Sequence, residues 1–399
     1  MEVGVQRATT APKTVRILIS TGEVSGDLQG AMLVEALYRQ AESLGISLDI
    51  VALGGDRMAA AGANVLALTQ SIGSVGLVES LPFVLPTLRV QRQAQRYLDK
   101  NPPDVVVLLD YLGPNLGMGS YIRRSFPQTP ILYYIAPQEW VWSLGSRNTE
   151  HLVRTVDQIL AIFPEEARYY KAHGAHVEWV GHPLVDRMQG VVSRDEARRR
   201  LNIPESQVAI ALLPASRRQE IRHLMPVMFA AAQRIQAQVP TAHFWIPVSL
   251  EQYRSAIESA VQRYGLRATL VSEDVRTVLS AADLAIAKSG TVNLELAILD
   301  VPQLVVYRVH PITAWIATHI LKFSIPFMSP PNLVNMEPVV PEFLQEKATP
   351  EALTQAALQL LTDETQRQAM REGYERMRQA LGTVGVCDRA AQMILKSVI

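Results

Sequence analysis

The sequence predicts an α/β protein of two doubly wound, Rossmann-like domains, and three observations carry that prediction. Short runs of Val, Ile and Leu recur along the chain and alternate with stretches of helical spacing, as parallel strands joined by crossover helices require. Several of these runs end in a glycine turn or an acid just before a helical stretch, where open parallel sheets bind their ligands. The alternation pauses at a charged, arginine-rich stretch over 193–201 and then starts afresh. A chain of 399 residues accommodates two or three domains at roughly 150 residues each.

The first strand covers 15–19 and runs into Gly22-Glu23-Val24-Ser25-Gly26-Asp27, after which Met32, Leu33, Ala36 and Leu37 fall at helical spacing. Glu23, Ser25 and Asp27 thereby become functional candidates. A second strand at 48–53 ends in Gly54-Gly55-Asp56. The run 105–109 is apolar throughout, as a strand buried on both faces should be, and stops at Asp110, with Asn115 five residues on. Asp110 would emerge at the ligand edge, where burial tunes a general base; a helix cap is the alternative. Strands at 131–135, 158–162 and 177–180 complete this half. In the second half, 208–213, 243–247, 268–271, 283–287 and 303–307 read as strands, with helices near 219–237 and 250–264 and a helical tail from 350. The domains expected are a disordered tail over 1–13, a first domain over 14–187, a second over 188–372, and a C-terminal helix over 373–399. That last helix is expected to pack back on an N-terminal domain, its own or a partner's.

Hydrophobic residues make up 48% and charged residues 19%, and basic and acidic residues cancel at 38 each. Nothing in that balance calls for nucleic acid. The single cysteine, Cys387, cannot form an intrachain disulfide, so a reducing compartment suits the chain. The first 14 residues lack the apolar core of a signal peptide. The apolar stretch 312–328 is interrupted by His319, Lys322 and Pro326, which argues against a spanning helix. His182, His223 and His310 show no ligand spacing, so no metal is expected.

Two loops of the second half suit a diphosphate. Ser216 and Arg217 end one strand before a helix, and Ser289, Gly290 and Thr291 end another, with Glu295 one turn further. Hydroxyls, helix-start N–H groups and a guanidinium fork all bind phosphate oxygens, and Glu295 could accept from a ribose. Ser216 as a plain helix cap and Glu295 as plain dipole chemistry remain open. Leu77, Val78, Leu81, Phe83, Val84, Leu85 and Leu88 cluster beside Arg89, Arg92 and Arg96. Such a patch fits an anionic membrane surface or an acyl chain, or else core packing.

Taken in order, the turn Gly22 to Asp27, Gly55-Asp56-Arg57-Met58, Val75-Gly76-Leu77-Val78-Glu79, Asp110 with Asn115, Trp140 with Trp142, and Gly181-His182-Pro183-Leu184-Val185-Asp186 form a specific series. It continues through Leu213-Pro214-Ala215-Ser216-Arg217, Ser289-Gly290-Thr291, Leu294-Glu295 and Pro331-Asn332-Leu333. From about residue 15 onward this series resembles the lipid-A-disaccharide synthase family, membrane-associated glycosyltransferases of family 19 whose GT-B fold sets two Rossmann-like domains about a central cleft. The resemblance implies inverting transfer from a UDP-activated diacylglucosamine donor to an acylated glucosamine 1-phosphate acceptor, without metal or other cofactor, at the inner face of the cell membrane. It implies Asp110 as the carboxylate that deprotonates or orients the acceptor hydroxyl, with Glu23 the rival base. Ser25, Asp27 and Asn115 would bind substrate, as would Ser216, Arg217 and Ser289 to Thr291; Glu295 and Asn332 would lie on the donor side. The patch from Leu77 to Leu88 would face the membrane, and a homodimer exchanging C-terminal segments is compatible. Gly113, Ala215, Ser143 and Met336-Glu337-Pro338 depart from the family pattern. A UDP-sugar 2-epimerase of the same fold, and a lipid or nucleotide-sugar binder without catalysis, are the alternatives.

Overall fold

The computed structural model describes residues 14–22, 24–69, 84–141, 146–214, 218–248, 250–308 and 327–399. They divide into two compact units, one comprising Met1–Asp186 with Leu381–Ile399 and the other Arg187–Ala380.

The first unit is built on a sheet of seven strands: β1 (Thr14–Ser20), β2 (Ser47–Gly54), β3 (Asn64–Leu68), β4 (Val105–Leu109), β5 (Ile131–Tyr134), β6 (Gln158–Ala161) and β7 (Val177–Trp179). All pair in parallel in the spatial order β3-β2-β1-β4-β5-β6-β7. The order reverses between β1 and β4, and the crevice at such a reversal is where doubly wound sheets take ligands. Every residue of β4 is buried, which is why its sequence is an unbroken apolar run. Each of its valines and leucines contributes about 1.5–3 kcal/mol by leaving water.

The second unit repeats the plan. Its strands are β8 (Val208–Leu213), β9 (Ala242–Pro247), β10 (Ala268–Val271), β11 (Leu284–Lys288), β12 (Gln303–Tyr307) and β13 (Glu342–Leu344). They are again all parallel, in the order β10-β9-β8-β11-β12-β13, so its reversal lies between β8 and β11. The expected α/β class with two doubly wound sheets is what the chain forms.

Two edge strands, β3 and β13, were not among those expected. Neither contains a fully buried residue; β13 is only Glu342-Phe343-Leu344, whereas β3 does carry an apolar run, Val65 to Leu68, that sequence reasoning passed over.

The returning segment ends in helix Val386–Lys396. Its N-terminus is held by Asp186, whose carboxylate accepts the N–H groups of Gly385 (2.6 Å), Val386 (3.2 Å) and Cys387 (2.8 Å). Arg39 pairs with Asp388 at 3.0 Å, joining it to helix Val24–Leu44, and Ala390, Ala391, Ile394 and Leu395 are buried. Cys387 is buried as well, and its thiol is pushed up to about 12 by that burial.

Candidate functional site

At the reversal of the first sheet, β4 delivers Asp110 in an uncommon backbone state. Asp110 (φ 51°) and Tyr111 (φ 45°) are both left-handed without being glycine, at a cost of about 1–2 kcal/mol each. The surroundings hold them there. The Asp110 N–H donates to Ile135 O (3.2 Å), and its carbonyl accepts from the Tyr133 hydroxyl (2.6 Å) and from Asn115 Nδ2 (2.7 Å). Asn115 Nδ2 also donates to Leu109 O (3.1 Å), and its Oδ1 accepts from Ser20 Oγ at the end of β1 (2.8 Å). Asn115, fully buried, thus ties the two switch-point strands together and fixes Asp110 from behind.

The Asp110 side chain is half-buried. Burial raises its pKa above the usual aspartate value, against the opposing pull of the Tyr111 N–H and the Ser25 hydroxyl. Ser25 is exposed and in reach of that carboxyl; Glu23 lies outside the described residues. The glycines of this turn make room for protein: a Cβ on Gly22 would lie 1.8 Å from Tyr111 Cδ1, and one on Gly26 would lie 1.9 Å from Thr21 Oγ1. Ser20, Thr21, Thr69, Thr87, Gln91 and Tyr111 line a small pocket beside Asp110, and the buried Thr21 hydroxyl in its wall has no hydrogen-bond partner among the described residues.

Several residues expected to touch substrate are engaged with protein. Asp27 is buried, and its carboxylate accepts the N–H groups of Arg57 and Met58, each at 3.2 Å, at the start of helix Asp56–Ala60. In the second unit Asn332 is buried: its Nδ2 donates to Val340 O (2.9 Å) and Glu342 Oε1 (2.8 Å), and its Oδ1 accepts the Val340 N–H (2.8 Å). Small polar residues near turns give one sequence signal for both ligand contact and backbone anchoring, and here the anchoring is what the geometry displays.

At the second reversal, β11 ends in Lys288, and its amine lies 3.2 Å from Glu220 Oε1. Glu220 belongs to helix Arg218–His223, which follows β8. Ser289 Oγ donates to Met328 O at 2.5 Å and the Gly290 N–H donates to Asn293 Oδ1 at 2.8 Å, while Thr291 is exposed. Glu295 is buried and accepts from Arg187 Nη1 at 2.7 Å; burial raises its pKa, and Arg187 and Arg276 pull it back. Ser216 and Arg217 lie outside the described residues.

Sequence reasoning missed two residues of these edges. Glu166, fully buried, receives the N–H groups of Ala136 (3.1 Å), Ile162 (2.9 Å) and Phe163 (3.2 Å), and so joins the loops after β5 and β6. Its pKa is raised by burial, opposed by those three N–H groups, to about 8. Its signal was the spacing Phe163-Pro164-Glu165-Glu166, with proline opening a helix and an acid at the third position. Lys288 was the other, passed over as the polar end of an apolar run. His182 is a structural hydrogen-bonder, its Nδ1 accepting the Leu184 N–H at 3.0 Å, and burial lowers its pKa to about 4.

Helix Val84–Leu98 carries part of the apolar patch. Val84, Leu85 and Leu88 are 48%, 66% and 46% exposed, and Arg89, Arg92 and Arg96 beside them are exposed too. Leu77, Val78, Leu81 and Phe83 lie outside the described residues. Among the described residues no helix is long and apolar enough to cross a membrane, and no group of three or more His, Cys, Asp or Glu side chains is placed to hold a metal ion.

Comparison with known proteins adds the following. The family model described as lipid-A-disaccharide synthetase matches residues 17–397. A lipid-A-disaccharide synthase of Gloeothece citriformis is 57% identical over 384 residues, covering 96% of this chain and 100% of that one. One from Synechocystis is 50% identical over 384 residues, covering 96% and 98%. Among solved structures, MnaA of S. aureus with UDP is similar at a TM-score of 0.65 and 16% identity, covering 96% of this chain and 98% of that one. MurG of Acinetobacter baumannii is similar at 0.58 and 18%, covering 96% and 100%. These structural likenesses establish the GT-B type of fold.

Proposed function

The chain belongs to the lipid-A-disaccharide synthase family, and from that premise we propose that it transfers 2,3-diacylglucosamine from its UDP-activated form to 2,3-diacylglucosamine 1-phosphate. The acceptor's 6-hydroxyl attacks the anomeric carbon of the donor as the bond from that carbon to the diphosphate oxygen breaks. UDP leaves with the electron pair, and the sugar is inverted. Asp110 takes the hydroxyl proton.

The observation that carries this reading is the state of Asp110: a strand-end residue whose backbone is held by three hydrogen bonds, whose carboxylate accepts the Tyr111 N–H, and whose basicity is raised by burial. A stronger base removes a hydroxyl proton more readily, provided it is ionised at the working pH. The second unit takes the donor at the turn that follows β11, where Thr291 is exposed. Val84, Leu85 and Leu88 with their arginines support attachment to an anionic membrane at its cytoplasmic face, where an acylated substrate resides. Helix Val386–Lys396 packs on the first unit of its own chain; in an exchanged homodimer it would make the same contacts with the partner's first unit.

The test is to incubate the purified protein with both dispersed lipids and measure disaccharide and UDP together. Equal yields of the two are expected. UDP-sugar consumption without disaccharide would overturn the reading and favour an epimerase or a hydrolytic activity instead.

A further inference from the structure

The second switch point holds a cation whose position has no purely structural explanation. Lys288 is the last residue of β11, the strand that pairs with β8 where the sheet order reverses. Its side chain and that of Glu220 are each only 16% exposed, with Nζ and Oε1 3.2 Å apart. An ion pair this dry returns little stability, because removing both charges from water offsets most of their attraction. Such a pair at a ligand edge is better explained by what it keeps ready.

Gly290 supports the same conclusion. A Cβ at that position would stand 3.3 Å from Lys288 Nζ. The amine therefore lies beside the Ser289–Thr291 turn, close enough to share a ligand with it. An ammonium carries three donors on a flexible stem. With one directed to Glu220, two remain for oxygens that arrive over the turn.

We propose, on the donor reading above, that Lys288 binds the diphosphate of the UDP-sugar and of the UDP released from it, with Glu220 as its counter-ion when the site holds no nucleotide. The charge meets the part of the donor that becomes more negative as the glycosidic bond breaks, where a fixed cation is most effective. Glu220 is a positioning residue: it holds the amine at the edge of the sheet and keeps it from folding away.

The experiment is calorimetric titration of UDP and of UMP into the wild-type protein, Lys288→Gln and Lys288→Met. Gln keeps an N–H donor on a stem one bond shorter and Met keeps the stem without a donor, so each removes the charge in a different way; melting temperatures establish that the variants are folded. UDP affinity is expected to fall about tenfold or more in Lys288→Gln, as loss of a charge-assisted contact implies, with UMP affinity falling by less than about threefold. Equal losses for UDP and UMP, or wild-type UDP affinity in a folded Lys288→Gln protein, would overturn the proposal. Failure of the wild-type protein to bind UDP at all would sink the donor reading itself, and so separates the two.

Discussion

The two sheets share one strand order and differ in how they treat charge at the point where that order reverses. In the first, the acid at the reversal is desolvated and its described partners are neutral: Asp110 has the Tyr111 N–H and the Ser25 hydroxyl. In the second, the acids at that edge face cations: Glu220 faces Lys288 and Glu295 faces Arg187. Topology supplies the crevice in both cases. What a crevice does is set by whether a carboxyl there is left holding its proton tightly or is matched by a base. The first arrangement suits proton transfer, and the second suits holding an anion.

The largest expected effect breaks the first side of that comparison. Asp110→Asn should lower kcat about 10²–10⁴-fold, the usual worth of a general base, in an assay of disaccharide formation. For the wild-type enzyme, kcat/KM should fall as pH falls through the Asp110 pKa. Because that pKa is raised, the acid limb should lie above the range of an ordinary aspartate.

Asn115→Ala removes the link between Ser20 and the carbonyls of Leu109 and Asp110. It leaves buried polar groups unmatched, and a loss of about 2–4 kcal/mol is expected, read as a lowered melting temperature, together with a fall in kcat that exceeds any change in UDP affinity. A change in UDP affinity alone would mean that Asn115 does not serve Asp110.

The glycines give a smaller and more pointed contrast. Gly22→Ala would drive a methyl to within 1.8 Å of the Tyr111 ring, and such overpacking costs about 1–3 kcal/mol. At Gly290 the nearest atom is the mobile end of Lys288 at 3.3 Å, so Gly290→Ala should leave the melting temperature nearly unchanged and weaken UDP binding modestly.

Smallest is a stability slope with pH. The Glu166 pKa rises from 4.5 to about 8 on folding, so the folded protein binds the proton more tightly than the unfolded chain. Stability from this group is fully present below 4.5 and is lost as pH rises towards about 8. Glu166→Gln should flatten that part of the pH–stability curve, and an unchanged slope would remove Glu166 as its source.

The legible parts of the chain were those in which a residue's surroundings are written next to it. β4 is five apolar residues because both faces are covered, and Asp110 stood out because it ends that run. Hidden were the features made by distant partners. The bond between Ser20 and Asn115 spans 95 positions, and the left-handed backbone of Asp110 and Tyr111 follows from such contacts and from no local motif. Asp27 and Asn332 show the reverse case, polar residues beside turns whose described bonds go mainly to backbone. Lys288 was hidden because a lysine after four apolar residues looks like the end of a strand. Its meaning depends on Glu220, a residue of another crossover.

The division of labour between the two switch points is tested most directly by titrating UDP into Asp110→Asn and Lys288→Gln side by side. UDP affinity is expected to stay within about threefold of wild type in Asp110→Asn and to fall about tenfold or more in Lys288→Gln. A tenfold loss in Asp110→Asn, or none in Lys288→Gln, would contradict it.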